Sequence, residues 1–353
     1  MPETTTKEMQ HEILGLDQIQ NQTEINEMDT SATQYMIELY KIRNGEQYES
    51  SLLEPNQPDV ALYNSHFPDV HDIHGADVIM SFVNDAHKPV FLGQDRDHVV
   101  YFDMSSVSSD HILSKAELRL YKEKQTRTKQ SIYRVVIFLL KGENGNKDES
   151  VTPKTGVTLS GDYDGWISIN VTDAAHYWNL NRNENFGLDV RVTDVDTGQD
   201  LDLKKSGIGI TGAPKNKQPF LTVFVKEKVN EYVWRTRLET RARRSASQQE
   251  GSTKCQKHPL YIDFSSLGWT HIIAPPGYNA SYCAGECNYS PESNVTEHSI
   301  LQSLLNLKDP SKIPKPCCSP SKLSKAQVLY TDDNKEVILK HYEDMVVEDC
   351  GCF

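Results

Sequence analysis

The chain has 353 residues and a formal net charge of −13 at pH 7, long enough for two or three domains that each bury a core. The acidic balance excludes nucleic acid as a partner, because that binding needs a Lys/Arg-rich stripe. The longest apolar run, Val135-Val136-Ile137-Phe138-Leu139-Leu140, falls far short of the roughly 20 residues of a membrane span, so no membrane insertion is expected.

In chain order, residues 7–16 place Met9, Ile13, Leu14 and Leu16 near one face of a short amphipathic helix. A second helix is predicted over Ser31–Arg43, with Ser31 or Thr33 as N-cap and Tyr35, Met36, Leu39 and Tyr40 apolar. The Pro/Asn/Asp-rich stretch 54–75 reads as loop. From Val78 onward the apolar period shortens to two, with strands predicted over 98–103, 115–122, 131–140, 165–171, 186–193 and 219–225. Residues 141–160 are polar and Gly/Asn/Lys-rich and are expected to be mobile. Thr172–Leu180 reads as one more helix. Residues 1–230 are thus a helical segment (1–45) followed by a β-rich domain (76–230), an α+β arrangement.

Residues 231–254 form an exposed linker, charged and without apolar periodicity. Within it, Arg241-Ala242-Arg243-Arg244 has the Arg-x-Arg-Arg form that proprotein convertases cut, with Ser245 as the new N-terminus. Acidic subsites of such proteases pair with guanidinium groups of an extended chain. A basic run alone reads more often as a solvated linker or nuclear signal; its place just upstream of the first cysteine favours cleavage.

All seven cysteines fall in the last segment: Cys255, Cys283, Cys287, Cys317, Cys318, Cys350 and Cys352. Such concentration is typical of small extracellular domains that compensate for thin cores with disulfides. The odd count leaves one cysteine for another chain, and the spacing alone leaves many connectivities open. Zinc is disfavoured, since Cys-x-Cys and Cys-Cys match the usual knuckle spacing poorly even with His258, His271, His298 and His341 nearby. No metal and no cofactor is expected. Secretion is the expected localisation; Met1–Thr6 shows no apolar signal-peptide core, so the sequence is expected to start late.

Several stretches carry a resemblance: Leu267-Gly268-Trp269, Ile273-Ala274-Pro275-Pro276-Gly277-Tyr278, Tyr282-Cys283-Ala284-Gly285-Glu286-Cys287, Ile313-Pro314-Lys315-Pro316-Cys317-Cys318, Val328-Leu329-Tyr330 and Asp344-Met345-Val346-Val347-Glu348-Asp349-Cys350-Gly351-Cys352. Weaker matches lie at Glu12-Ile13-Leu14-Gly15-Leu16, Ala76–Val83, Gly165-Trp166 and Asn216–Phe220. On these the chain resembles a transforming growth factor-β superfamily precursor, most like the bone morphogenetic protein group in the branch of osteogenic proteins and glass-bottom-boat.

The resemblance implies a propeptide over 1–230 and a mainly β, cystine-knot two-finger growth factor over 255–353, with one wrist helix at Glu297–Leu307. It implies bridges Cys255–Cys318, Cys283–Cys350 and Cys287–Cys352, with Cys317 linking a second subunit, itself or a paralogue. The implied function is assembly of type I and type II serine/threonine-kinase receptors to trigger Smad signalling, with secreted antagonists as further partners. Ala274, Val328, Leu329 and Leu339 would form the type II knuckle, although Leu and Val in strands are as often plain core. Trp269, Tyr342 and Met345 would belong to the type I site.

The chain also departs from the family pattern. Trp269-Thr270-His271-Ile272 is one residue shorter and lacks the second tryptophan. The loop before the wrist helix is about two residues short and has no clear anchoring leucine, so receptor choice is not carried over. After Arg244 there are nine Lys, no Arg and thirteen Asp/Glu, which predicts weak or no heparan sulfate binding. The cysteine-free propeptide cannot make covalent latency and is expected to hold the growth factor non-covalently. Asn21, Asn170, Asn279 and Asn294 head sequons, the last standing where the family carries its glycan.

The rival reading is a secreted cystine-knot antagonist or matrix protein that binds ligands instead of receptors; the convertase site and long cysteine-free segment weigh against it. An enzyme is not expected. There is no nucleophile elbow or His-Glu-x-x-His, and His71-Asp72-Ile73-His74 reads as loop.

Overall fold

The computed structural model describes residues 30–45, 70–85, 98–108, 111–125, 131–141, 146–148, 156–227, 254–287 and 296–353. The helix expected over 7–16, the cleavage residues Arg241, Arg243, Arg244 and Ser245, and the sequons at Asn21 and Asn294 lie outside them. The chain divides into two compact units, Met1–Lys228 with Leu329–Lys340, and Val229–Val328 with His341–Phe353. A hairpin tip of the cysteine-bearing segment therefore clusters with the N-terminal segment.

The first unit is α+β. Helix α1 (Ser31–Arg43) starts at Thr30, not at Ser31 or Thr33: the Thr30 hydroxyl accepts from the Thr33 backbone N–H at 3.1 Å. Tyr35, Met36, Leu39 and Ile42 line its buried face. Residues Val70–Gly75, expected as loop, form a short helix α2. Its cause is tertiary: Ile73 is buried, and Arg43 donates to the carbonyls of Ile73 (2.8 Å) and Ala76.

Strands β1 (Val78–Val83), β2 (Val99–Val100), β3 (His111–Lys122), β4 (Ile132–Lys141), β5 (Asn146–Asp148), β6 (Val157–Ser160) and β7 (Gly165–Asn170) follow, then α3 (Thr172–Leu180), β8 (Leu188–Asp194), β9 (Asp200–Leu201), α4 (Leu203–Ser206) and β10 (Phe220–Glu227). One sheet runs β1-β10-β3-β7 and another β2-β8-β4-β5, antiparallel throughout, with β6 also on β4 and β9 on β8. Phe220–Val225 are all buried, as a strand covered on both faces must be. β5 and β6 fall in the stretch expected to be mobile; they pair there because β4 presents backbone groups that need partners, and Leu159 of β6 is buried as well.

The same core holds a buried ionic cluster. Arg119, 1 % exposed, lies 3.3 Å from Glu117 and 4.0 Å above the Tyr35 ring. Lys115 joins Glu117 to Asp72 of α2, at 2.9 and 2.7 Å. These contacts tie α1 and α2 to β3.

The second unit is mainly β. β11 (Gln256–His258) pairs with β15 (Tyr282–Ala284), and β12 (Tyr261–Asp263) with β14 (Gly277–Asn279). β13 (Ile272–Ala274) neighbours β16 (Cys318–Thr331), which neighbours β17 (Val337–Cys352). Helix α5 (Glu297–Lys308) is capped by Thr296, whose hydroxyl accepts from the Ser299 N–H at 3.2 Å. Leu301, Leu304, Leu305 and Leu307 on it are exposed. Among the described residues no helix is long and apolar enough to cross a membrane.

Candidate functional site

Three disulfides organise the second unit: Cys255–Cys318, Cys283–Cys350 and Cys287–Cys352, with Cα separations of 5.4, 5.7 and 5.6 Å. The two latter bridges join the short segments 283–287 and 350–352 into a closed ring. Cys255 enters beside it, its backbone N–H bonded to the Glu286 carbonyl at 3.1 Å. Gly285 makes that approach feasible. At φ 124° it adopts a backbone L-residues avoid, and a Cβ there would lie 2.3 Å from the Lys254 carbonyl oxygen. The sulfurs of Cys255, Cys287 and Cys352 sit within 4.8 Å of one another, but all are committed to disulfides and so are not thiolate ligands.

Cys317 is left with a free, exposed thiol. Its backbone exchanges hydrogen bonds with Phe353 at 2.8 and 3.0 Å, holding it at the chain's end next to the knot.

The residues expected at receptor surfaces divide between the units. In the second, Trp269 is 9 % exposed and stacks on Phe264 at 5.6 Å, with Tyr278 on the same Phe264 ring. Ala274 and Met345 are partly exposed, whereas Val328 and Tyr342 are buried. His271, absent from the sequence-based set, is drawn inward, and burial pulls its imidazole down to about 4. Asn170 and Asn279, each in a sequon, are exposed.

Leu329 and Leu339 belong to the first unit and are fully buried. There β17 adds antiparallel to β1, with Val78 opposite Lys340, Ile79 opposite Leu339, Met80 opposite Ile338 and Ser81 opposite Val337. The Ser81 hydroxyl donates to the Val337 carbonyl at 3.2 Å, and Lys340 pairs with Glu227 at 3.0 Å. At the hairpin turn, Ser106 donates to the Glu336 carboxylate at 2.5 Å. Backbone pairing supplies the affinity in such strand addition, and alternate side chains supply specificity. The register could not be read from sequence, because strand period tells which face is apolar but not which neighbour covers it.

Comparison with known proteins agrees with this architecture. The transforming growth factor beta like domain family matches residues 254–352, and the TGF-beta propeptide family matches residues 1–224. The chain is 31% identical to Protein 60A of Drosophila virilis over 360 residues, 91% of this chain and 82% of that protein. It is 33% identical to bone morphogenetic protein 8A of Mus musculus over 302 residues, 78% of this chain and 75% of that protein. Against Protein 60A of Drosophila melanogaster it is 33% identical over 311 residues, 80% and 68% of the two chains. These relatives are growth factors and not enzymes. The chain belongs to the transforming growth factor-β superfamily as a growth factor precursor of the bone morphogenetic protein group.

Proposed function

We propose that the precursor is cut after Arg244, and that the segment from Cys255 onward acts as a secreted dimer joined through Cys317 that brings type I and type II serine/threonine-kinase receptors together. The observation that carries the reading is Cys317: with six cysteines closed in the knot, it alone keeps a free, exposed thiol. A same-residue bridge across a two-fold axis is the simplest way to close such an interface. The exposed leucines of α5 support it, since a helix with that much apolar surface needs a cover, and a second subunit offers one.

The propeptide stays on the finger tip without a covalent bond, by addition of β1 to β17. While it is docked, Leu329 and Leu339 are inaccessible to a type II receptor. Trp269, stacked on Phe264, and Tyr342, also buried, offer little surface for a type I receptor, so type I binding relies on Met345 and the α5 region.

The test is to apply the secreted product to responsive cells and measure receptor-regulated Smad phosphorylation, alongside non-reducing and reducing electrophoresis. Phosphorylation together with a mature band that halves on reduction supports the reading. Covalent dimers that persist in Cys317→Ser would overturn the interchain assignment, and blocked signalling by an added ligand without any response of its own would mark an antagonist.

A further inference from the structure

The contact between Glu336 and the propeptide has chemistry that the strand pairing does not need. Glu336 sits at the tip of the β16–β17 hairpin, in the run Asp332-Asp333-Asn334-Lys335-Glu336, a sequence that in a free finger would be solvated. Here it is 7 % exposed. The Ser106 hydroxyl, 230 positions earlier in the chain, reaches its Oε2 at 2.5 Å. Among the described residues, the charges that act most on it are acidic: Asp332 across its own turn and Asp103 from the propeptide; Asp333 in turn acts on Asp332.

The Asp332 side chain is fixed in that position. Its Oδ1 accepts from the backbone N–H groups of Asn334 at 3.0 Å and Glu336 at 2.8 Å, so it cannot swing away from Glu336 without opening the turn. A buried carboxylate beside two further carboxylates is costly unless one of them takes up a proton. Burial first, and then the neighbouring Asp332 and Asp103 charges, push Glu336 up to about 8, against the Ser106 hydrogen bond, which favours the charged form. Asp332 is also raised, chiefly by burial.

We propose that Glu336 makes docking of the propeptide on the finger tip proton-dependent, so that the complex is held most tightly at acidic pH and loosens progressively as the pH rises to and through neutral. The proposal rests on the reading above, that the cleaved propeptide stays on the growth factor. Docking raises the carboxyl's affinity for its proton, so binding takes up a proton in the window between the ordinary Glu range and about 8. The gain is complete below that window and is lost as pH climbs through it. Nothing covalent changes: the proton comes from solvent and returns to it. The growth factor would thus leave an acidic compartment capped and lose its cap more readily outside.

The test uses the secreted, convertase-cleaved complex of the full chain, with propeptide retention measured by size-exclusion chromatography and by dissociation from immobilised growth factor between pH 5.5 and 8.5. Wild type is expected to weaken by up to about tenfold per pH unit from 5.5 to about 8 and to level off above that. Glu336→Gln keeps an acceptor for Ser106 and a donor for Asp332 without a titratable proton, and should give a nearly flat profile. Should that variant fail to be secreted, Asp103→Asn, which leaves the growth factor untouched, should move the upper end of the fall to lower pH. Superimposable pH profiles in wild type and the variant that is read would overturn the proposal while leaving propeptide retention intact. No retention at any pH would instead overturn the underlying reading, and the proposal with it.

Discussion

Leu339 of the growth factor hairpin lies directly opposite Ile79 of the propeptide strand β1, and both side chains are fully buried. The pair lets the two roles of this surface be separated. Ile79→Ala should destabilise the first unit by about 2–5 kcal/mol, the usual cost of truncating a buried aliphatic side chain. The cleaved dimer, purified free of propeptide, should keep wild-type receptor binding. Leu339→Ala should weaken both. Thermal unfolding of the uncleaved chain and receptor titration of the mature dimer read the two effects, and an Ile79→Ala dimer with impaired receptor binding would contradict the assignment.

Gly285 is expected to tolerate no side chain. A Cβ would meet the Lys254 carbonyl oxygen at 2.3 Å and the Cys255 nitrogen at 2.8 Å, atoms of one backbone peptide with no flexible side chain to yield. Gly285→Ala should therefore leave the Cys255–Cys318 bridge unformed. Thiol counting on the secreted or retained chain should find free cysteines beyond Cys317, and a fully oxidised knot at normal yield would refute this.

Arg119 and Glu117 should behave as a buried pair. Arg119→Met leaves Glu117 with Lys115 as its remaining cation and removes the guanidinium from the Tyr35 ring, so a loss of about 3–5 kcal/mol is expected. Adding Glu117→Gln should recover part of it, because the uncompensated charge goes as well. Denaturant unfolding of the full chain measures both; a double variant less stable than the sum of the singles would argue against the pair.

His271 predicts an acid-side dependence of the growth factor's own stability. Its folded value, held near 4 by burial, lies below the ordinary 6.5. The stability this group contributes is present above 6.5 and is lost as pH falls towards and through 4. His271→Gln should flatten the thermal midpoint of the mature dimer across that interval, while wild type declines.

Much of the architecture was legible because it follows from local rules. Apolar residues at alternate positions from Ala116 to Leu120 and the continuous apolar run 135–140 mark strands, although β3 begins earlier than its apolar pattern alone suggested. Helices α1 and α3 were legible for the same reason. Helix α2 and strand β6 were not. The first depends on Arg43 donating to the Ile73 and Ala76 carbonyls, and the second on pairing with the edge of β4. Glu336 was missed entirely, since nothing in an acidic turn sequence announces that it will be covered.

By itself, the sequence determined the class of molecule. Seven cysteines in the last segment and a cysteine-free propeptide constrain the covalent framework, because disulfides depend on residue type and spacing. Only the tertiary structure decided which surfaces stay open. Leu329 and Leu339 are buried within the unit that also holds β1, Trp269 folds onto Phe264, and Glu336 meets Ser106 across 230 residues of chain. Those outcomes come from long-range packing and desolvation, which no local pattern encodes.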